Sequence, residues 1–280
     1  MRRTFPTMPA TGSRRRLVGT SLKMYFDLDK TRTYIRDVVR TLIELPDFPP
    51  RDAAGHQALD VFVIPDFVSL TGVRDLLQDA HAEVWLGAQD THDQDAGAYT
   101  GEVSAKTLAQ AGCRLVEIGH AERRSLFGET DAIVASKAGA VVRNGMTPLV
   151  CVGEVTFPGD DTGLAVSECW QQALAVLEAV PTDADVVLAY EPVWAIGKAQ
   201  PASAAHIVAV TQALRARCLD EFPDRRDASL RILYGGSAKP GLYEHIYEGV
   251  DGLFLGRFAH DPVQFAKTIQ EVYAAGRTGA

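Results

Sequence analysis

The feature that most constrains this chain is an eightfold alternation. From about Arg16 onward, a short apolar run is followed by a Gly-rich or polar turn and then by a longer stretch with helical periodicity. The apolar runs are Leu17 to Gly19, Asp60 to Ile64, Val84 to Gly87, Leu115 to Ile118, Pro148 to Val152, Val186 to Ala189, Leu230 to Leu233 and Gly252 to Leu255. Between them, patterns such as Lys30 to Leu45, Asp131 to Arg143, Gly163 to Val180, Ser203 to Asp220 and Pro262 to Ala275 place apolar residues at i, i+3, i+4 and i+7. Strands separated by helices pair in parallel, through crossover connections. Leu149-Val150-Cys151-Val152 is apolar throughout, which calls for burial on both faces. An open doubly wound sheet also buries its strands, but it typically uses five or six of them and needs a Gly-rich first turn. The first turn here is Thr20-Ser21-Leu22-Lys23. Eight such units predict a single-domain, closed (β/α)8 barrel over residues 16–280, with chemistry on the loops that follow the strands.

Composition narrows the function. The 280 residues carry 28 Lys plus Arg against 36 Asp plus Glu, a net charge of -8, and such a surface repels nucleic acid. The four cysteines lie far apart with no C-x-x-C spacing, which reads as reduced thiols in a cytoplasmic protein rather than disulfides or a metal set. No run approaches the roughly 18 apolar residues of a membrane span, so no membrane partner is expected. The first sixteen residues hold five arginines together with Pro6, Pro9 and Gly12 and no apolar stretch behind the charges; residues 1–15 therefore read as a disordered arm, not a signal peptide.

Five strand ends carry candidate chemistry. After the fourth run, His120 opens Gly119-His120-Ala121-Glu122-Arg123-Arg124; taken alone it reads equally as a helix cap. After the sixth, Glu191 begins an apolar loop, Pro192-Val193-Trp194-Ala195-Ile196-Gly197, whose exposure is costly unless it closes over something. Gly235-Gly236-Ser237 follows the seventh run and Gly256-Arg257 the eighth, where barrels commonly bind phosphate through backbone N–H groups. Lys23 follows the first run, either as a solvated lysine or as a cation at the barrel mouth. A base, an electrophile and a cation around an anion site suit one small phosphorylated carbonyl compound.

At this point the chain resembles the triosephosphate isomerase family. The likeness is carried by Gly101-Glu102-Val103-Ser104-Ala105, Ile118-Gly119-His120 with Glu122-Arg123-Arg124, Cys151-Val152-Gly153-Glu154, Ala189 to Gly197, and Leu233 to Ser237, and it spans nearly everything from Arg16 onward. The resemblance implies a TIM barrel in which Glu191 is the base, neutral His120 and Lys23 polarise the carbonyl, and Glu122 pairs with Lys23. It also implies that Ser21, Gly197, Gly235, Gly236, Ser237, Gly256 and Arg257 bind substrate and that Pro192 to Gly197 closes as a lid, with no metal or organic cofactor. A homodimer is implied as well, since Gln89 to Gly101 resembles the family's third loop, which reaches into a neighbouring subunit.

The departures fall on the site. Where the family usually reads Gly-Asn-Trp-Lys-Met, this chain reads Gly19-Thr20-Ser21-Leu22-Lys23-Met24; the Ser after the catalytic His becomes Ala121; the eighth-loop Gly-Gly becomes Gly256-Arg257; and the far lid hinge reads Gly197-Lys198-Ala199-Gln200. The changes at Ser21, Leu22 and Ala121 each make the side chain smaller, and Ser21 with Ala121 is expected to give room at the reacting end. The Gly-Thr-Ser start and the Gly-Arg loop look like the branch of the family that acts on four-carbon erythrulose phosphates. The expected reaction is thus L-erythrulose 1-phosphate to D-erythrulose 4-phosphate. Triosephosphate isomerisation is the alternative and a catalytically silent phosphosugar binder the second. An aldolase would need a Schiff-base Lys within a strand or a His and Asp metal set, and neither stands out.

Overall fold

In the computed structural model the described residues are 14–45, 48–49, 51, 57–159, 161–196 and 202–275. Eight parallel strands, β1 (Arg16–Ser21), β2 (Leu59–Ile64), β3 (Val84–Ala88), β4 (Leu115–Ile118), β5 (Thr147–Val152), β6 (Val186–Tyr190), β7 (Leu230–Tyr234) and β8 (Gly252–Leu255), pair in sequence order. Pairing of Leu17 with Gly252 and Thr20 with Leu255 joins the last strand to the first and closes the barrel. The wall is jacketed by α1 (Leu28–Ile43), α2 (Leu70–Asp79), α3 (Ala105–Gln110), α4 (Ala121–Phe127), α5 (Asp131–Arg143), α6 (Thr162–Ala179), α7 (Ala204–Glu221), α8 (Tyr243–Ile246) and α9 (Pro262–Ala275).

Strand alternation divides the core. Leu17, Phe62, Leu115, Leu149, Val187 and Leu233 fill the barrel interior, while Val18, Val61, Val116, Val150 and Leu188 face the helices. The first helix begins two residues before the predicted Lys30, because Asp27 caps it by accepting from the Lys30 N–H.

Ion pairs occupy the end of the barrel where the strands begin. Asp60, fully buried on β2, pairs with Arg231 at 3.2 Å and with Arg15 at 2.7 Å. Asp251 accepts from the Ile232 N–H and pairs with Arg14 and Arg215. Arg14 and Arg15, the last two residues of the arm expected from sequence, are thus tied to the barrel by charge; residues 1–13 lie outside the described residues. All four cysteines are buried and unpaired. Among the described residues no helix is long and apolar enough to cross a membrane. The opposite end, where the strands finish, is left for the loops that carry the site.

Candidate active site

Backbone geometry sets each site residue. Lys23 adopts a left-handed conformation with φ of 48°, unusual for a side chain of this kind. Two contacts hold that turn: the Leu22 N–H donates to the Ile64 carbonyl at 2.9 Å, and the Gln89 side-chain amide donates to the Lys23 carbonyl at 2.9 Å. Gly119 takes φ of 68° and so turns the chain out of β4; a Cβ there would press against Val134 at 3.0 Å. His120 then caps α4, its Nδ1 accepting the Glu122 backbone N–H at 3.1 Å. The helix-cap reading of His120 is the one the structure shows, and it sets the tautomer: with Nδ1 occupied as an acceptor, the neutral ring carries its proton on Nε2.

That Nε2 stands 3.5 Å from Oε2 of Glu191 and 3.3 Å from Nζ of Lys23. Glu191 is held by its N–H to the Val152 carbonyl at 2.8 Å, and Gly235 makes room for it, since a Cβ there would lie 2.6 Å from Glu191 Cγ. Lys23 pairs with Glu122 at 2.7 Å. One cavity of about 300 Å³ is lined by Ser21, Lys23, His120, Glu122, Glu191, Gly235, Gly236, Ser237, Gly256 and Arg257. These are the residues singled out from sequence, apart from Gly197, which lies outside the described residues with the rest of the far lid hinge.

The electrostatics separate the groups by task. Burial, reinforced by the neighbouring Lys23 ammonium, pushes His120 down to about 4, so its imidazole is neutral at physiological pH. Burial raises Glu191 to about 8, with the nearby Glu117 carboxylate adding to the rise and Lys23 opposing it. Burial also works against the charge on Lys23, but the Glu122 carboxylate outweighs it and keeps the lysine above its ordinary value. Arg257 forms no ion pair among the described residues and leaves a free guanidinium at the Gly256 edge of the cavity. A buried base, an uncharged acid and a cation are positioned to move a proton between carbon and oxygen, beside loops suited to an anion.

Reading the sequence passed over two features. Glu117, an acid on a strand that is otherwise apolar, lies beneath the site, and its only signal is that mismatch. Glu154 gathers the lid base: its Oε1 accepts from Trp194 Nε1–H at 2.7 Å and Tyr190 O–H at 3.1 Å, with His206 Nε2 at 3.2 Å. The apolar loop after Glu191 is partly covered by these contacts, with Ala195 buried and Ile196 exposed at the cavity edge.

Residues 16–272 match the protein family described as Triosephosphate isomerase. The chain is 43% identical over 264 residues to L-erythrulose-1-phosphate isomerase of Pectobacterium atrosepticum, covering 93% of this chain and 97% of that one. It is 38% identical over 257 residues to triosephosphate isomerase of Chloroflexus aurantiacus, covering 90% and 97%. It is 43% identical over 215 residues to triosephosphate isomerase of Alkalilimnicola ehrlichii, covering 76% and 85%.

Proposed function

We propose that this chain, which belongs to the triosephosphate isomerase family and is a phosphosugar isomerase, converts L-erythrulose 1-phosphate to D-erythrulose 4-phosphate. The observation that carries the chemistry is the convergence of Glu191 Oε2, His120 Nε2 and Lys23 Nζ, with His120 within 3.5 Å of both partners, in one cavity. Glu191 removes the proton from the hydroxyl-bearing carbon beside the carbonyl. Neutral His120, donating through Nε2, and the Lys23 ammonium stabilise the enediolate oxygens, and His120 passes a proton between them. Glu191 then returns a proton to the former carbonyl carbon, so the carbonyl moves one position along the chain. Gly235, Gly236, Ser237, Gly256 and Arg257 bind the phosphate, and Glu122 fixes Lys23. Closure of the segment that starts at Pro192 excludes water and raises the basicity of Glu191.

L-Erythrulose 1-phosphate is dihydroxyacetone phosphate with a hydroxymethyl group on the carbon that loses its proton. Two observations support the larger substrate: Ser21 lines the cavity beside the reacting groups, whereas Ala121 borders a separate cleft, and the relative matched over 97% of its length at 43% identity carries that substrate in its name. The second reading is the triose phosphate, supported by relatives of 38–43% identity. Steady-state kinetics on both substrates decide between them: a higher kcat/KM for L-erythrulose 1-phosphate is expected, and a much higher value for dihydroxyacetone phosphate would reject it. Binding of either phosphate without turnover would instead mark a silent paralogue.

The protein acts as a homodimer in this reading. Met24, Val68 and Tyr99, exposed by 94%, 78% and 45%, sit on the loops after three adjacent strands, β1, β2 and β3, where such apolar surface favours a partner. Light scattering showing a monomer at micromolar concentration would contradict this. Four buried, unpaired thiols fit a reducing, cytoplasmic location.

A further inference from the structure

Glu117 is a carboxylic acid in the wrong solvent. On β4, Leu115 joins the interior cluster while Val116 and Ile118 face the helices, so alternation turns Glu117 toward the barrel axis one layer beneath His120. It is 3% exposed, and among the described residues it forms no ion pair, unlike Asp60 at the other end of the barrel with its two arginines. The nearest cation that offsets it, Lys23, is already paired with Glu122, so burial of the carboxyl destabilises the fold, and a leucine would fill that space without the penalty.

The residue that links Glu117 to the cavity is Ser21. It closes β1, lines the cavity and is 2% exposed, yet its buried hydroxyl makes no hydrogen bond of ordinary geometry. Leu17 lies in the interior cluster and Val18 faces the helices, so alternation along β1 turns Ser21, like Glu117, toward the barrel axis, where the Ser21 hydroxyl favours the charged form of that carboxylate. At the reacting end His120 Nδ1 is taken by the Glu122 amide and Lys23 by the Glu122 carboxylate, while Glu191 Oε2, also without a hydrogen-bond partner, belongs to the base of the proposed reaction. A buried hydroxyl without a hydrogen-bond partner, on a residue that lines a ligand cavity and shares the barrel interior with an acid outside every ion pair among the described residues, is suited to hold another hydroxyl.

We propose that Ser21 and Glu117 form a hydroxyl-binding subsite on the cavity floor. The Ser21 hydroxyl donates toward the Glu117 carboxylate, and its freed lone pairs accept the O–H of the substrate's terminal hydroxymethyl group, the group that a triose phosphate lacks. Glu117 acts through Ser21 and is a positioning residue for substrate choice. This subsite rests on the tetrulose phosphate reading, because only a substrate with the extra hydroxymethyl can fill it.

The test compares kcat/KM for L-erythrulose 1-phosphate with that for its 4-deoxy analogue, in which the terminal CH2OH is CH3. The wild-type enzyme is expected to favour the hydroxylated substrate by about tenfold to a hundredfold, the scale of one buried hydrogen bond left unmade. Glu117→Leu and, independently, Ser21→Ala should collapse that ratio to within about threefold of unity, whereas Glu117→Gln, which still bonds the hydroxyl, should keep most of it. A wild-type ratio near one, or a ratio that Glu117→Leu and Ser21→Ala leave unchanged, would overturn the subsite. A general loss of folding or chemistry lowers both numbers and does not move their ratio. The wild-type preference between L-erythrulose 1-phosphate and dihydroxyacetone phosphate is read separately, so failure of the substrate reading is distinguishable from failure of the subsite.

Discussion

Lys23 Nζ stands 3.3 Å from Nε2 of His120, and both residues line the same cavity. The histidine tautomer follows from the Glu122 amide that occupies Nδ1, and the lysine is anchored by the Glu122 carboxylate. Two donors held this close repel unless an oxygen comes between them, so the pair is preorganised for the developing negative charge of an enediolate. Glu122 sets both donors, one with its backbone and one with its side chain.

That arrangement makes the protonation of His120 measurable. With burial and Lys23 holding it near 4, its ring nitrogens should keep the shifts of the neutral Nε2–H tautomer from pH 5 to 9 in 15N NMR of the free enzyme. A titration close to 6.5 would show that the ring becomes charged in the working range.

The base is tested by substitution. Glu191→Gln should lower kcat by about 10³-fold, and Glu191→Asp, which retracts the carboxylate from the reacting carbon, by a comparable order, with no loss of Tm. Undiminished turnover in Glu191→Gln would remove the residue from its role.

The pH profile has a predictable sign. A base works when unprotonated, and Glu191 is raised to about 8, so kcat/KM should climb with pH along an acid limb near 8, well above the usual carboxylate range. Because the Glu117 charge is part of what raises it, Glu117→Gln should move that limb to lower pH. A limb that stays in place, or moves upward, would show that the two acids do not interact.

Stability should report the same buried acid. The Glu117 carboxyl is raised to about 7 by burial, so the folded state carries no penalty from it below the ordinary value of about 4.5 and accumulates one as the pH rises toward 7. Glu117→Leu should therefore raise stability at pH 8 by about 1–3 kcal/mol, read as a higher Tm, and by much less at pH 5. Equal effects at the two pH values would mean that packing, not ionisation, governs the change.

At the other end of the barrel the charges are paired, and removing one has the opposite sign. Asp60→Ala leaves Arg231, 1% exposed, without the carboxylate it meets at 3.2 Å and should cost about 3–5 kcal/mol, lowering Tm by roughly 10 °C. A change of a degree or two would show that Arg231 finds water or another acceptor.

Much of this was legible beforehand because each strand is a short apolar run ended by a turn, and eight of them leave little but a closed barrel. The helices singled out in advance were the long ones; α3 and α4, of six and seven residues, span too few turns to display a period. Site residues were legible where the loops after the strands hold distinctive chemistry, as at His120 and Glu191. Glu117 was not, since its importance depends on which face of β4 it takes and on Ser21, 96 positions away, meeting it across the barrel. The Glu154 cluster was hidden for the same reason: Tyr190, Trp194 and His206 come to it from β6, the lid and α7.

The most direct measurement is NMR of L-erythrulose 1-phosphate incubated with the enzyme in D2O. Proton transfer by Glu191 through an enediolate predicts D-erythrulose 4-phosphate with deuterium on the former carbonyl carbon, formed by the wild type and slowed about 10³-fold in Glu191→Gln. Substrate that binds but neither isomerises nor exchanges, or exchange that proceeds equally in Glu191→Gln, would contradict it.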